Sequence, residues 1–394
     1  MPIEFNEKRW VDVKETYRKW WAGELKRPVC GAVVIDRDPG RPVPSAPLLT
    51  QATCHDFSWS VEDIVERIDY ELCRQSYLGD AFPYVNLDCF GPGVAAAFLG
   101  AKVDNTTGGV WFEPFTEKPI SQLHFKYDGD NPWLLRVKNL CRAAVDRWGN
   151  TVVVGMPDLG GTLDILQIFR PGEKLLFDFY DFPEEVKRAV WEIHQLWHRF
   201  YTEIHEILQQ KGMGYSDWSG IYSEKPFYIL QCDVSYMISP EIFNEFALPE
   251  LEASINRLER SVYHLDGPGA LNHIDKILSI ENLSCMQWIP GDGNPSWGKW
   301  PEVYQKIAAS GKLIQSMGSP IDDLFKIMAQ TGVPGRIQHS TILFEKADVK
   351  EPQIVENRVL ISSSLLSALR LFFFLFKPIM AFLRVVNKMK RPIT

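Results

Sequence analysis

Short apolar runs alternate with amphipathic stretches along most of this chain, and that alternation restricts the possible folds more than any other feature. Runs of strand length fall at 29–35, 84–88, 151–155, 227–233, 262–266, 284–289, 312–317 and 335–341. Between them lie stretches of helical periodicity, at 61–78, 132–148, 182–210, 271–278, 300–309 and 321–329, with another opened by Gly160-Gly161-Thr162. Ser60 caps the stretch at 61–78, Ile64, Ile68 and Leu72 recur every fourth residue, and Gly79 is expected to stop it. A further helix over 6–22 precedes the first strand. Strands linked through helices by short loops pair in parallel, with right-handed crossovers. Eight of them predict an α/β chain closed into a (β/α)₈ TIM-type barrel with an N-terminal helical extension. An open doubly wound sheet is the alternative, but no GxGxxG follows the first strand to support it.

The boundaries follow from composition. Residues 1–355 are expected to form the barrel. Residues 356–394 form a basic, hydrophobic tail, with seven Lys and Arg from Arg358 onward and no Asp or Glu after it. Lys377 and Pro378 interrupt its apolar run, which argues against a membrane span. A peripheral membrane contact or a dimer contact remains open for it. The chain as a whole carries a net charge of −8, which excludes a general nucleic-acid binder. Seven cysteines without a CxxC pair, and a polar start without a secretory apolar stretch, lead to the expectation of a reduced, cytoplasmic protein.

In a parallel barrel the chemistry gathers at the carboxyl ends of the strands. Here most strand ends carry Asp, His or Gln: Asp88, Asp158, Asp233, His264 with Asp266, Gln287 with Trp288, Gln315, and His339. Buried carboxylates are costly without partners, so the set as a whole points to a site. Alternation places His264 and Asp266 on one face of their strand. With His339 across the mouth, these residues form an expected divalent-metal site, of a kind that suits catalytic zinc and also non-haem iron. Asp88, Asp158 and Asp233 are the expected catalytic carboxylates, orienting substrate or moving protons. Gln287, Trp288, Gln315 and Trp297 are the expected substrate contacts. His194, His198 and His205 share one helical face but lack the HExxH glutamate, and are expected to pack or be solvated there.

The segment DVSYMISPEIFNEFALPEL, residues 233–251, is followed by VYHLDGPG at 262–269. Together they resemble the uroporphyrinogen decarboxylase superfamily, with Ser239, Pro240, Phe243, Phe246 and Pro249 matching its Ser-Pro-x-x-Phe helix. Gly155-Met156-Pro157, Thr162-Leu163, Asp88 before FGPGVAAAFLGA, and Trp288 match further family positions, over roughly residues 25–345. The resemblance implies the barrel and one of two chemistries. The decarboxylase branch grips propionates with an N-terminal arginine segment, of which Arg37 and Arg41 are a loose echo. The corrinoid-linked methyltransferase branch binds zinc through His-x-Cys and a second cysteine. Asp266 stands in place of the first cysteine here, and His339 or Ser340 in place of the second. The expected function is a metal-dependent methyltransferase acting on a small molecule, with zinc as the metal and any corrinoid supplied by a separate partner protein. A cofactor-free decarboxylase and a non-catalytic tetrapyrrole- or corrinoid-binding barrel are the alternatives.

Overall fold

The computed structural model describes residues 2–344, and side chains through residue 340. The C-terminal tail expected at 356–394 lies outside the described residues. Helix α1, Glu7–Trp21, is capped by Asn6, whose side chain accepts from the Arg9 amide. Trp10, Val13, Tyr17 and Trp20 fall on one face of it and are buried. That aromatic face covers the amino-terminal ends of the strands, packing with Val29, Phe82, Val153, Phe227, Val262, Cys285 and Leu313 in a core of their own. One end of the sheet is thereby sealed with apolar side chains, and polar chemistry is confined to the other.

The strands are β1 Val29–Ile35, β2 Gln75–Gly79, β3 Tyr84–Val85, β4 Lys102–Asp104, β5 Trp111–Glu113, β6 Val153–Val154, β7 Phe227–Gln231, β8 Arg260–Asp266, β9 Cys285–Ile289, β10 Leu313–Met317 and β11 Ile337–Phe344. Seven form the main sheet in the order β2-β1-β11-β10-β9-β8-β7, parallel throughout except for the β2 edge. The strands β3 and β6 pair in parallel apart from it, and β4 with β5 makes a small hairpin. A long helix, Pro183–Leu208, lies among those packed outside. All seven cysteines are free and buried. Among the described residues no helix is long and apolar enough to cross a membrane.

One expectation is corrected here. The helix expected over 61–78 ends at Cys73, and Gln75–Gly79 turns back as an antiparallel strand on β1. A helix continued to Leu78 would have left this edge of β1 unpaired, and the β2 ladder covers it. The seven-stranded, mostly parallel sheet bears out the expected α/β class, and closure of eight strands by continuous pairing is not seen among the described residues. Among the described residues β3 and β6, each two residues long, pair with one another outside the main sheet. On the side toward β7 Met156 bridges Asp217, whereas the Asp80 amide, bonded to the Cys30 carbonyl at 2.9 Å, continues the β1–β2 ladder.

A carboxylate takes the place of a ladder bond at the edge of β7. Asp217 is fully buried, and its Oδ2 accepts from the Ile229 amide at 2.8 Å. Its Oδ1 accepts from the Ser219 amide at 2.9 Å and from the Ser219 hydroxyl. Asp217→Ala leaves buried donors unsatisfied, each costing about 1–3 kcal/mol. The expected result is a loss of roughly 3 kcal/mol in urea unfolding, together with loosening of the 215–219 segment that reaches the site.

Candidate active site

Strand register builds the site. The inward faces of β7, β8, β9, β10 and β11 place Gln231, His264, Gln287, Gln315 and Gln338 side by side in one row. Two residues earlier on four of these strands the same face carries Ile229, Val262, Cys285 and Leu313 of the apolar plug. The row therefore marks the level at which the interior turns from apolar to polar. Asp266 follows two residues after His264, and Asp233 two residues after Gln231, nearer the mouth.

The amides of this row are ordered. Gln315 donates through Nε2 to the Ser219 carbonyl at 2.8 Å, and that carbonyl can only accept. Its Oε1 therefore faces Nε2 of Gln287, at 2.8 Å. The Gln287 Oε1 in turn accepts from Nδ1 of His264. The chain of bonds fixes the proton of His264 on Nδ1 and leaves Nε2 as a lone-pair donor, as orienting partners of metal-ligand histidines do. Donor atoms of Asp233, His264 and Asp266 all lie within 4.8 Å of one another, close enough to share one ion. Gln231 donates to Oδ2 of Asp233 at 3.3 Å, while Oδ1 of Asp233 is buried without a partner.

Asp88 and Asp158 arrive on two loops held glycine to glycine. Gly160 has φ +81°, and a Cβ there would sit 2.6 Å from Cα of Gly93. The Val94 amide bonds the Asp158 carbonyl at 3.0 Å. Burial raises the Asp158 carboxyl to about 7, against the opposing pull of its bond from the Gly160 amide and of nearby His264. Burial and then the neighbouring Asp266 and Asp158 raise Asp233 to about 7. Asp164, at the start of helix Thr162–Phe169, is likewise raised to about 7 by burial and by Asp233. Asp88 keeps an accessible carboxyl in the walled mouth, and loss of hydration raises it as well. Among the described residues none of Asp88, Asp158, Asp164, Asp233 and Asp266 pairs with a Lys or Arg.

The structure thus brings Asp88, Asp158, Asp233, His264 and Asp266 together. Gln287 and Gln315 stand beside His264 in the row, fully buried and bonded to one another, so they orient the imidazole. His339 and Trp288 are corrections. Both sit one residue out of register with the inward row and so point to the opposite face. His339 is fully buried, with Nδ1 3.2 Å from the Ser319 hydroxyl, and burial lowers it to about 4. Trp288 lies in the core beneath the helices, edge-on to Trp300 at 5.2 Å. Trp297 packs half-buried against the same core. His194 and His198 bond Glu250 and Ser254 of a neighbouring helix and belong to a packed face. Asp164 escapes sequence reading because it lies inside a helix, beyond the strand end that drew attention to Asp158.

Comparison with protein-family models finds no match, and comparison with curated protein sequences finds none. Among solved structures the chain is similar to a methyltransferase from Methanosarcina mazei, with a TM-score of 0.53. The two are 12% identical, and the match covers 83% of this chain and 92% of that one. At this identity the likeness establishes a shared fold.

Proposed function

We propose that this chain is a methyltransferase built on a (β/α)₈-type barrel and working with one divalent ion, zinc, held by Asp233, His264 and Asp266. The observation that carries the reading is the convergence of those three donors at the carboxyl ends of the strands, with His264 held in one tautomer. The fold shared with a solved methyltransferase supports the reaction class. One imidazole with two carboxylates is a donor set that zinc, manganese and ferrous iron all accept. The partnerless Oδ1 of Asp233 fits the same role. When bound, such an ion supplies Lewis acidity, lowering the pKa of an acceptor or polarising a donor.

The chain's own residues do the rest. Gln287 and Gln315 hold the imidazole by its Nδ1, so that Nε2 keeps a lone pair for an ion. Asp158, raised to about 7, can take up or release a proton near neutral pH. Asp88 offers an accessible carboxylate to the substrate, a small methylated molecule. Delivery of a methyl group through a separate corrinoid protein is an extension of this reading. The decarboxylase alternative needs cationic side chains to hold carboxylate groups, and the carboxylate-lined mouth disfavours such a substrate.

The test uses the full-length protein, purified after growth with zinc and manganese supplied. Elemental analysis is expected to find about one ion per chain, and thiol methylation is expected with methylated donors and to stop on chelation. Absence of both the metal and chelator-sensitive transfer would reject the reading. Gln315→Leu is expected to release Gln287 and mix the two tautomers of His264, which ¹⁵N spectra of the imidazole resolve. Metal affinity should fall about tenfold in this variant, as for other losses of an orienting partner.

A further inference from the structure

We infer that the side of the mouth bounded by Asp88 and Asp158 takes the cationic head of a methylated onium compound, a sulfonium or a quaternary ammonium. The inference rests on the methyltransferase reading and names its donor. Five carboxylates meet here without a Lys or Arg partner among the described residues, and a divalent ion on Asp233 and Asp266 balances two of them. Asp88 and Asp158 stand outside that ligand set, brought together by the Gly93–Gly160 contact, with Asp88 accessible.

The hydrogen-bonding capacity left over points the same way. Gln287, Gln315 and Gln231 each commit an N–H, to Gln315, to Ser219 and to Asp233. Gln231 is 4% exposed, its amide is aimed at Asp233, and its Oε1 has no partner. The Oδ1 of Asp233 and Oδ2 of Asp164 are buried and equally free. Around His264, the indole N–H of Trp218 and the amide of Gln338 farther along the row aside, the buried atoms without any partner are therefore acceptor oxygens. Trp218 lies edge-on to His264 at 5.2 Å and adds an aromatic ring. Carboxylates, carbonyl oxygens and an indole suit a positive head with polarised methyl groups, and they repel an anionic one.

The transfer balances without a proton. A thiolate lone pair forms the new bond to the methyl carbon. The bond from that carbon to the onium atom breaks with both electrons staying on nitrogen or sulfur. The products are a thioether and a neutral amine or sulfide.

Calorimetric titration of the full-length protein, as purified and after chelation, compares three probes: choline, trimethylsulfonium, and the neutral isostere of choline with carbon in place of nitrogen. Binding of at least one cation, at least about tenfold tighter than the isostere, is expected in both preparations. Preference between choline and trimethylsulfonium identifies the heteroatom. Asp88→Asn, at an accessible side chain, should weaken binding about tenfold, and Asp158→Asn provides a second variant. Equal binding of the isostere, or no change in either variant, overturns the inference. Transfer from an uncharged donor without cation binding would sink the inference and leave the methyltransferase reading standing. Cation binding without any methyl transfer would do the reverse.

Discussion

His264→Ala is expected to leave the full-length protein folded but without its metal, and to reduce methyl transfer to background. The imidazole supplies one of three donors, and its replacement removes the nitrogen ligand that Gln287 holds in place. Loss of an orienting partner alone costs about 10–100-fold in affinity, so loss of the ligand should cost at least that much. The informative control is His339→Ala. His339 looks in sequence like an equally good ligand, but it points away from the row, toward Ser319. Its removal should lower thermal stability, by about 2 kcal/mol for a buried ring, and leave the metal content unchanged. Metal retained in His264→Ala, or lost in a folded His339→Ala, would refute the Asp233–His264–Asp266 centre. Elemental analysis of the two variants beside the parent protein decides between them.

The contrast between these two histidines shows what sequence can carry. Alternation along β8 put His264 and Asp266 on one face without a structure, because that reading needs only a period of two within one strand. Placing His339 with them required the phase of β11 relative to β8, three strands away, and phase is set by register. Gln338, one residue earlier, occupies the inward position that the reading gave to His339. The same one-residue ambiguity paired Gln287 with Trp288 as substrate contacts, although alternation allows just one of the two to face inward. Helix limits were more legible. The helix at Pro132–Trp148 begins and ends where Asn131, Pro132 and Gly149 mark it. The helix at Val61–Cys73 kept its cap at Ser60 but lost its last residues to the edge of β1, a non-local demand that periodicity does not register. Asp164 was illegible for a related reason, since its carboxyl meets Asp233 and the Val234 amide across 70 residues of chain.

Asp158→Asn is expected to change the sign of its effect on stability with pH. In the folded protein burial holds the Asp158 carboxyl at about 7, while an unfolded chain binds that proton near the ordinary value of 3.8. Between those values the native state carries a proton that the unfolded state lacks, so this group's contribution to stability falls as pH rises. Below about pH 4 the contribution is fully present; above about pH 7 it is lost, at a limit of roughly 4 kcal/mol for an isolated group. A scan of the parent protein would blur this, because buried histidines act in the opposite sense. His198, His205 and His339 are lowered to about 3, 3 and 4, so the stability they give is lost as pH falls below the ordinary histidine value. The difference between variant and parent cancels those terms. Asparagine keeps an oxygen for the Gly160 amide and carries no charge to bury. Chelated Asp158→Asn should therefore melt several degrees above the chelated parent at pH 8 and no higher than it at pH 5. A gain that is independent of pH would mean that the carboxyl is not held protonated by its surroundings, and would remove Asp158 as the group that exchanges a proton at neutral pH.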